Sequence, residues 1–228
     1  MPRTFTIADP SLDPTTINDH SAFLILNHRL NDAWRLTAQL AYFDYDMVGA
    51  SLWPSSIDSA GYMQRGLSAW DAANESKLGQ VFLNGEVRTG AIGHRVLVGL
   101  DMGRKNYVAD FDQYALLDDS TSFNIYAPVY GLPASALPTF NREQSLRNRG
   151  TYVEAQSYTG IYVQEELLLA DDRVRLTLAG RYTSAEDVYR YGAASVDDAA
   201  VSHAFTPRLG VSATILPETS VYALYDRA

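Results

Sequence analysis

The sequence has no cysteine, which excludes a disulfide framework, thiolate metal sites and a cysteine nucleophile. Lysine is nearly absent too: Lys77 and Lys105 are its two occurrences among 18 basic residues. Against 27 acidic residues the formal net charge is −9. Such a chain is not a general nucleic-acid binder, whose affinity comes largely from cationic contacts to phosphates. No apolar run approaches the ~20 residues of a transmembrane helix; stretches such as Phe23 to Leu26 and Leu167 to Ala170 are strand-sized. The opening "MPRTFTIADP" lacks the apolar region of a signal peptide. If the protein is exported, this chain is then expected to be a mature form or, better, a fragment. Motifs of nucleophilic, zinc and nucleotide chemistry (G-x-S-x-G, S-x-x-K, H-E-x-x-H, the P-loop) are missing as well. No catalytic residue and no resident metal or cofactor is expected.

What is present is an apolar and aromatic chain. Hydrophobic residues make up 46% and charged residues 20%, which argues against disorder. Its 228 residues can bury a core, as one large β domain or two small ones. Residues 170–187, "ADDRVRLTLAGRYTSAED", pose the central question. Apolar residues alternate from Val174 to Leu178, while Arg173, Arg175 and Arg181 occupy the other face. The same period of two runs through Trp34, Leu36, Ala38, Leu40 and Tyr42, through Val96 to Met102, and through Leu209 to Ile215. These are long strands with two chemically different faces.

The pattern predicts strands over about His20–Leu30, Trp34–Asp46, Glu75–Thr89, His94–Gln113, Thr151–Leu169, Arg173–Tyr189, His203–Leu216 and Ser220 to the end. Tight turns are expected at 31–33, 90–93, 170–172 and 217–219, built from Asn, Asp, Gly and Pro. Between them lie long irregular connections, about 47–74, 114–150 and 190–202. Short and long strictly alternate, so all tight turns fall on one rim of the sheet. A transmembrane β-barrel sorts its connections in this way, with short turns on one side and long loops on the other. Lipid then faces the apolar side, and a polar lumen holds the arginines. Leu36, Leu40, Val98, Leu100, Leu176, Leu178, Val211 and Ile215 are expected on the convex side, and Arg35, Gln39, Arg175, Arg181 and Arg208 on the concave side. Tyr42, Phe43, Tyr45, Tyr182 and Tyr189 are expected to form an aromatic girdle.

Several segments resemble TonB-dependent ferric-siderophore receptors. "TGIYVQEELLLADDRVRLTLAGRYTSAED" is similar to that family's Tyr-x-Gln-(Asp/Glu) strand, turn and Gly-Arg-Tyr strand. "LNHRLNDAWRLTAQLAYF" resembles its hairpin around an Asn-Asp turn, and "GAIGHRVLVGLDMGRKNY" the strand with Gly-(Val/Leu)-Asp. "FNIYAPVYG" is similar to its Asn-(Ile/Leu)-Tyr-x-Pro loop element, and "AFTPRLGVSATILPETSVYALYDRA" to a later hairpin. The resemblances follow family order from about residue 20 to the end. They imply an all-β chain, an antiparallel meander forming an open arc of a transmembrane β-barrel: about eight strands of a larger barrel. Residues 1–228 would be a partial barrel domain, without plug or terminal strands.

The function this implies is an outer-membrane receptor of a Gram-negative bacterium that binds and imports a ferric siderophore, energised through TonB by way of a plug domain. Iron would enter only as part of the ligand, and the partners would be siderophore, TonB complex and lipid. Alternatives are a TonB-dependent transporter of cobalamin or haem, a passive porin-like channel, and a soluble β-rich binding protein. Candidate ligand-binding residues are aromatics of the long connections: Trp53, Tyr62, Trp70, Phe111, Tyr114, Tyr126 and Tyr130. Their broad faces suit bulky chelates, and arginines nearby would attract an anionic one. The acidic clusters Asp110/Asp112, Asp118-Asp119 and Asp197-Asp198 are expected to be solvated, with a hard cation as the alternative. Glu165 and Glu166 must point to opposite faces of one strand, so they cannot act as an acid–base pair. Gln164 and Glu166 would face the lumen.

Overall fold

The structure is a computed structural model that describes residues 3–119 and 123–227. Ala228, expected at the end of the last strand, and residues 120–122 of the long connection lie outside the described residues. One antiparallel sheet dominates. Its eight strands are β1 (Thr16–Arg29), β2 (Trp34–Val48), β5 (Asp71–Thr89), β6 (Ile92–Asp110), β9 (Tyr152–Leu169), β10 (Val174–Tyr191), β11 (Asp198–Leu216) and β12 (Thr219–Asp226), neighbours in that order. A smaller sheet pairs β3 (Ala50–Ile57) with β4 (Tyr62–Ala69), and β4 with β7 (Tyr114–Leu116) and β8 (Phe123–Asn124). Among the described residues β1 and β12 pair only with β2 and β11, so the large sheet is open.

The register puts all four tight turns on one rim. Gly85 of β5 lies opposite Trp34, Gly93 opposite Leu168, and Val174 opposite Ala213. Local chemistry closes each turn. The Asn31 carboxamide oxygen accepts from the backbone N–H of Ala33 and of Trp34, both at 2.9 Å, an Asx turn. Gly90 takes a left-handed φ of 63°, where a Cβ would be strained. Ala170, Asp171 and Asp172 are all left-handed, and Arg88 holds the Asp172 carboxylate at 2.7 Å across the rim.

Cross-strand register also separates the two faces. Leu36 opposes Leu83, then Val98 and Val163; Leu176 opposes Val211. The eight residues expected on the apolar side share it, and many of their neighbours are exposed, including Ile161, Val163 and Leu209. Arg35, Gln39, Arg175, Arg181 and Arg208 share the opposite, more enclosed face, the inner face hereafter. There Arg181 reaches over β9 to Asp101 in a two-pronged ion pair of 2.6 and 2.7 Å. Gly160 lies beneath it, and a Cβ at that position would collide with the guanidinium. Tyr162 likewise crosses Gly99 to accept a hydrogen bond from Gln80 at 2.8 Å.

Two expectations need correction. Tyr42 and Tyr182 have the apolar-side parity, but Phe43, Tyr45 and Tyr189 lie on the inner face: Phe43 opposes Ser76, Tyr45 opposes Asn74, and Tyr189 opposes Glu154. They share the parity of Arg35 and Arg175, so they cannot belong to an outward girdle. Residues 47–74 are not irregular either. β2 runs on to Val48 and β5 begins at Asp71, and between them lies the β3–β4 hairpin, closed by Asp58 Oδ1 accepting from Ala60 N–H (2.9 Å) and Tyr62 N–H (2.8 Å), with Gly61 at φ 86°.

Candidate functional site

Above the long-loop ends of the strands, aromatic rings continue the inner face. Trp53 of β3 lies 6.3 Å from Trp70, which stacks on Phe111 at 5.5 Å; Phe111 lies 6.3 Å from Tyr191 at the end of β10. Below this row, Tyr107, Tyr152 and Tyr189 form a second, with centroids 5.8 and 5.4 Å apart. Tyr191 opposes Tyr152 and Tyr152 opposes Ala109, so the lower rings and Tyr191 project to one side. Trp53 is fixed by its indole N–H donating to Ser68 Oγ at 3.1 Å. Tyr114, over Gly66, hydrogen-bonds Ser55 Oγ at 2.6 Å.

The seven candidate aromatics therefore divide. Trp53, Trp70 and Phe111 form a contiguous row, with Tyr114 on the same hairpin face. Tyr62, Tyr126 and Tyr130 lie apart from it. Tyr126 covers Gly61 and is 75% exposed, and Tyr130 donates to Thr6 O at 2.9 Å with its ring edge-on to Phe123. Tyr191 completes the row and was missed, although counting by twos along β10 from Arg175 places it on the inner face.

Buried ion pairs carry the row from behind. Arg65, 1% exposed, clasps Asp118 through Nε (2.7 Å) and NH2 (2.8 Å), and its guanidinium lies 4.0 Å above the Phe123 ring. Its NH1 donates to Ile7 O at 3.1 Å and lies 3.5 Å from Asp9. A small core of Met63, Phe123 and Ile125, with Phe5 and Ile7 against it, adjoins this cluster. Burial alone would raise the Asp9 pKa, but backbone N–H groups of Ser11, Leu132 and Gly131 outweigh it and lower it. A charged carboxylate fits that environment.

A second cluster anchors the long connection. Asp71 and Asp110 are directly opposed across β5 and β6, each 1% exposed. Two like charges so placed repel. Arg142 binds Asp71 at 2.7 and 2.9 Å, Arg149 binds it at 2.7 Å, and Arg149 also pairs with Asp110. Burial would raise the Asp71 pKa; Arg142, the Gly49 N–H and Arg149 together lower it. Arg147 pairs with Asp197 at 2.9 Å. Asp110 and Asp118 are thus buried partners of arginine rather than solvated loop residues, whereas Asp197 is solvated as expected and pairs at the surface. Among the described residues no group of His, Asp or Glu has a geometry that holds a metal. The arginines expected to attract an anionic ligand are consumed by the same pairs. Glu165 and Glu166 diverge as expected, to His94 (2.8 Å) and Arg95 (3.2 Å).

Two-faced strands, one-sided tight turns and an aromatic mouth define a class, and residues 2–228 match the family described as TonB dependent receptor-like, beta-barrel; the chain belongs to that family. Its members are transport receptors, not enzymes. Among relatives, the ferrioxamine B receptor of Salmonella typhimurium is 27% identical over 158 residues, 69% of this chain and 20% of its own. The metal-pseudopaline receptor CntO of Pseudomonas aeruginosa is 26% identical over 235 residues, 98% of this chain and 31% of its own. Among solved structures, the ferric-catecholate import receptor Fiu of E. coli K12 in its closed form superposes with a TM-score of 0.70 at 15% identity, covering 93% of this chain and 33% of that one. The chain thus spans a fifth to a third of the proteins it matches.

Proposed function

We propose that this chain is the ligand-binding sector of an outer-membrane receptor that imports a ferric siderophore with energy supplied through TonB. The observation that carries this reading is the row Trp53–Trp70–Phe111–Tyr191 at the inner side of the long-loop rim. Flat rings in contact present a broad, rigid surface at little entropic cost, which suits a bulky chelate. Iron belongs to the cargo and is not a resident cofactor. The face bearing Val98, Leu100, Leu176 and Val211 contacts lipid, and about ten residues of each long strand cross the bilayer. The inner polar face, with Gln164 and Glu166, packs against a plug that couples to TonB. The relative covering nearly the whole chain is named for a metal-pseudopaline complex, so chelates of metals other than iron belong in the same test.

In the full-length receptor, replacing Trp53, Trp70 and Tyr114 together by Ala is expected to weaken chelate binding more than tenfold, from aromatic contacts of about 1 kcal/mol each. Radiolabelled metal uptake by cells and calorimetry on the purified receptor read this directly. Unchanged binding by the triple variant, or uptake of every siderophore surviving deletion of the gene, would defeat the proposal.

A further inference from the structure

We infer that the aromatic row selects an uncharged or cationic ferric chelate of the tris-hydroxamate type and discriminates against anionic tris-catecholates; this rests on the reading of the row as the ligand site. The first observation is a charge census of the long-loop side. Segments 3–15, 49–70, 111–151 and 192–197 contain Arg3, Arg65, Arg142, Arg147 and Arg149 and no lysine. Apart from Arg3 in the N-terminal segment, each of these guanidinium groups is committed to aspartate: Arg65 to Asp118 and Asp9, Arg142 to Asp71, Arg149 to Asp71 and Asp110, Arg147 to Asp197. At the end of β10, Arg190 also lies 3.7 Å from Asp197. Lys105 on the inner wall has Glu154 at 3.8 Å. Asp58, Asp112 and Glu143 of the same segments have no basic partner among the described residues. Among the described residues, segments 49–70, 111–151 and 192–197 of this sector therefore offer an arriving anion no unpaired arginine, and they hold more acid than base.

The second observation is independent of the census. Trp53, Trp70, Phe111 and Tyr191 are in successive ring contact along the row, and an aromatic face carries the negative lobe of its quadrupole. Such a surface attracts cations and tolerates neutral apolar groups, but repels anions placed over it. Ligand chemistry divides on the same line. Three singly charged hydroxamates cancel the charge of ferric iron, whereas three doubly charged catecholates leave a trianion. The hydroxamate complex meets the row without losing hydration of net charge; the trianion would have to do so with no cation to replace the water.

The test uses the full-length receptor and three probes: a linear ferric tris-hydroxamate with a free ammonium, its N-acetylated neutral form, and a ferric tris-catecholate. Calorimetry is expected to give both hydroxamates a Kd at least tenfold below that of the trianion. A Ser55→Arg variant supplies the missing cation at an exposed position beside Tyr114, and should shift the preference toward the trianion about tenfold. Equal or tighter binding of the trianion by the unmodified receptor would overturn this inference alone, as would a preference that Ser55→Arg leaves unmoved. Binding of none of the three would overturn the siderophore reading and this inference with it.

Discussion

Asp71 is the carboxylate on which the long connection between β6 and β9 turns, so Asp71→Asn is the most informative perturbation of the rim. The wild-type side chain, 1% exposed, accepts from Arg142 twice, from Arg149, and from the Gly49 N–H at 3.1 Å. Asparagine keeps the shape but offers one acceptor, and its amide N–H₂ would confront a guanidinium. Breaking a buried pair by removing one partner costs about 3–5 kcal/mol. Two features reduce that figure. Arg142 is 36% exposed, so water recovers part of its solvation, and Arg149 keeps Asp110. We expect about 2–3 kcal/mol, a factor of about 30–150 in the opening equilibrium of the connection.

Trypsin reads that equilibrium at the residues concerned, because cleavage after Arg142, Arg147 or Arg149 requires the backbone of the fastened connection to open into the protease. Where opening and closing are fast relative to cleavage, the rate follows the open population. The full-length variant should be cut within 141–151 at least thirtyfold faster than wild type, with the barrel strands intact. Cleavage within twofold of wild type would mean that the arginines hold the loop without Asp71, and the account of the cluster would fail.

Other expectations concern the strands and the pH response. Gly160→Val should displace Arg181 from Asp101 and cost about 1–3 kcal/mol, read as a lower unfolding midpoint in denaturant; an unchanged midpoint would refute the close-approach argument. Arg88→Ala removes an exposed pair with Asp172 and should change stability by less than about 1 kcal/mol by the same measurement. Asp71 and Asp9 have folded pKa values below the unfolded value of about 3.9. Their contribution is complete above that value and is lost as pH falls through the lower folded pKa. Amide-exchange protection of residues 141–151 should therefore persist at pH 5 and fall away below about pH 3; loss already at pH 5 would contradict the sign.

Much of this was legible in the sequence because a strand between unlike surroundings must alternate. Val96, Val98, Leu100 and Met102 state the register of β6, and Asn31 and Gly90 mark turns that few other residues could make. Parity would also have assigned Tyr45 and Tyr189 to the inner face, had it been applied to aromatics as strictly as to arginines. The β3–β4 hairpin hid for a physical reason. Its buried face reads Met63, Arg65, Leu67, Ala69, and an arginine interrupts the apolar pattern that announces a core strand. Only a partner distant in sequence, Asp118, makes Arg65 a core residue. The same holds for Asp71 and Asp110, whose arginines arrive from a connection about 40–80 residues away in sequence. Periodicity reports the surroundings of a strand, not which charge will be brought back to it.

The contents of the inner face decide the architecture. An eight-stranded barrel has an interior that side chains just fill. Here that face carries Arg35, Arg95, Arg175, Arg181 and Arg208 together with Tyr107, Tyr152, Tyr158 and Tyr162, far more bulk than so narrow a cylinder encloses. Arg181 and Tyr162 find room only because Gly160 and Gly99 leave space beneath them on neighbouring strands, an accommodation along the wall, not across a lumen. The sheet must then stay open or continue into further strands. Its free margins agree: β1 is exposed along all 14 residues, and β12 along all 8. Unpaired backbone on that scale is a template for strand addition. The charge pattern makes the same demand, since arginines on a narrow closed interior would need a carboxylate for each, whereas most of the acids at the long-loop rim are already taken by the arginines that fasten the loops. One economy of charge thus accounts for both ends of the molecule: acid and arginine cancel where the loops are fastened, which leaves the rings bare at the mouth, and arginine remains on the wall below, facing an interior wide enough to keep it wet or partnered.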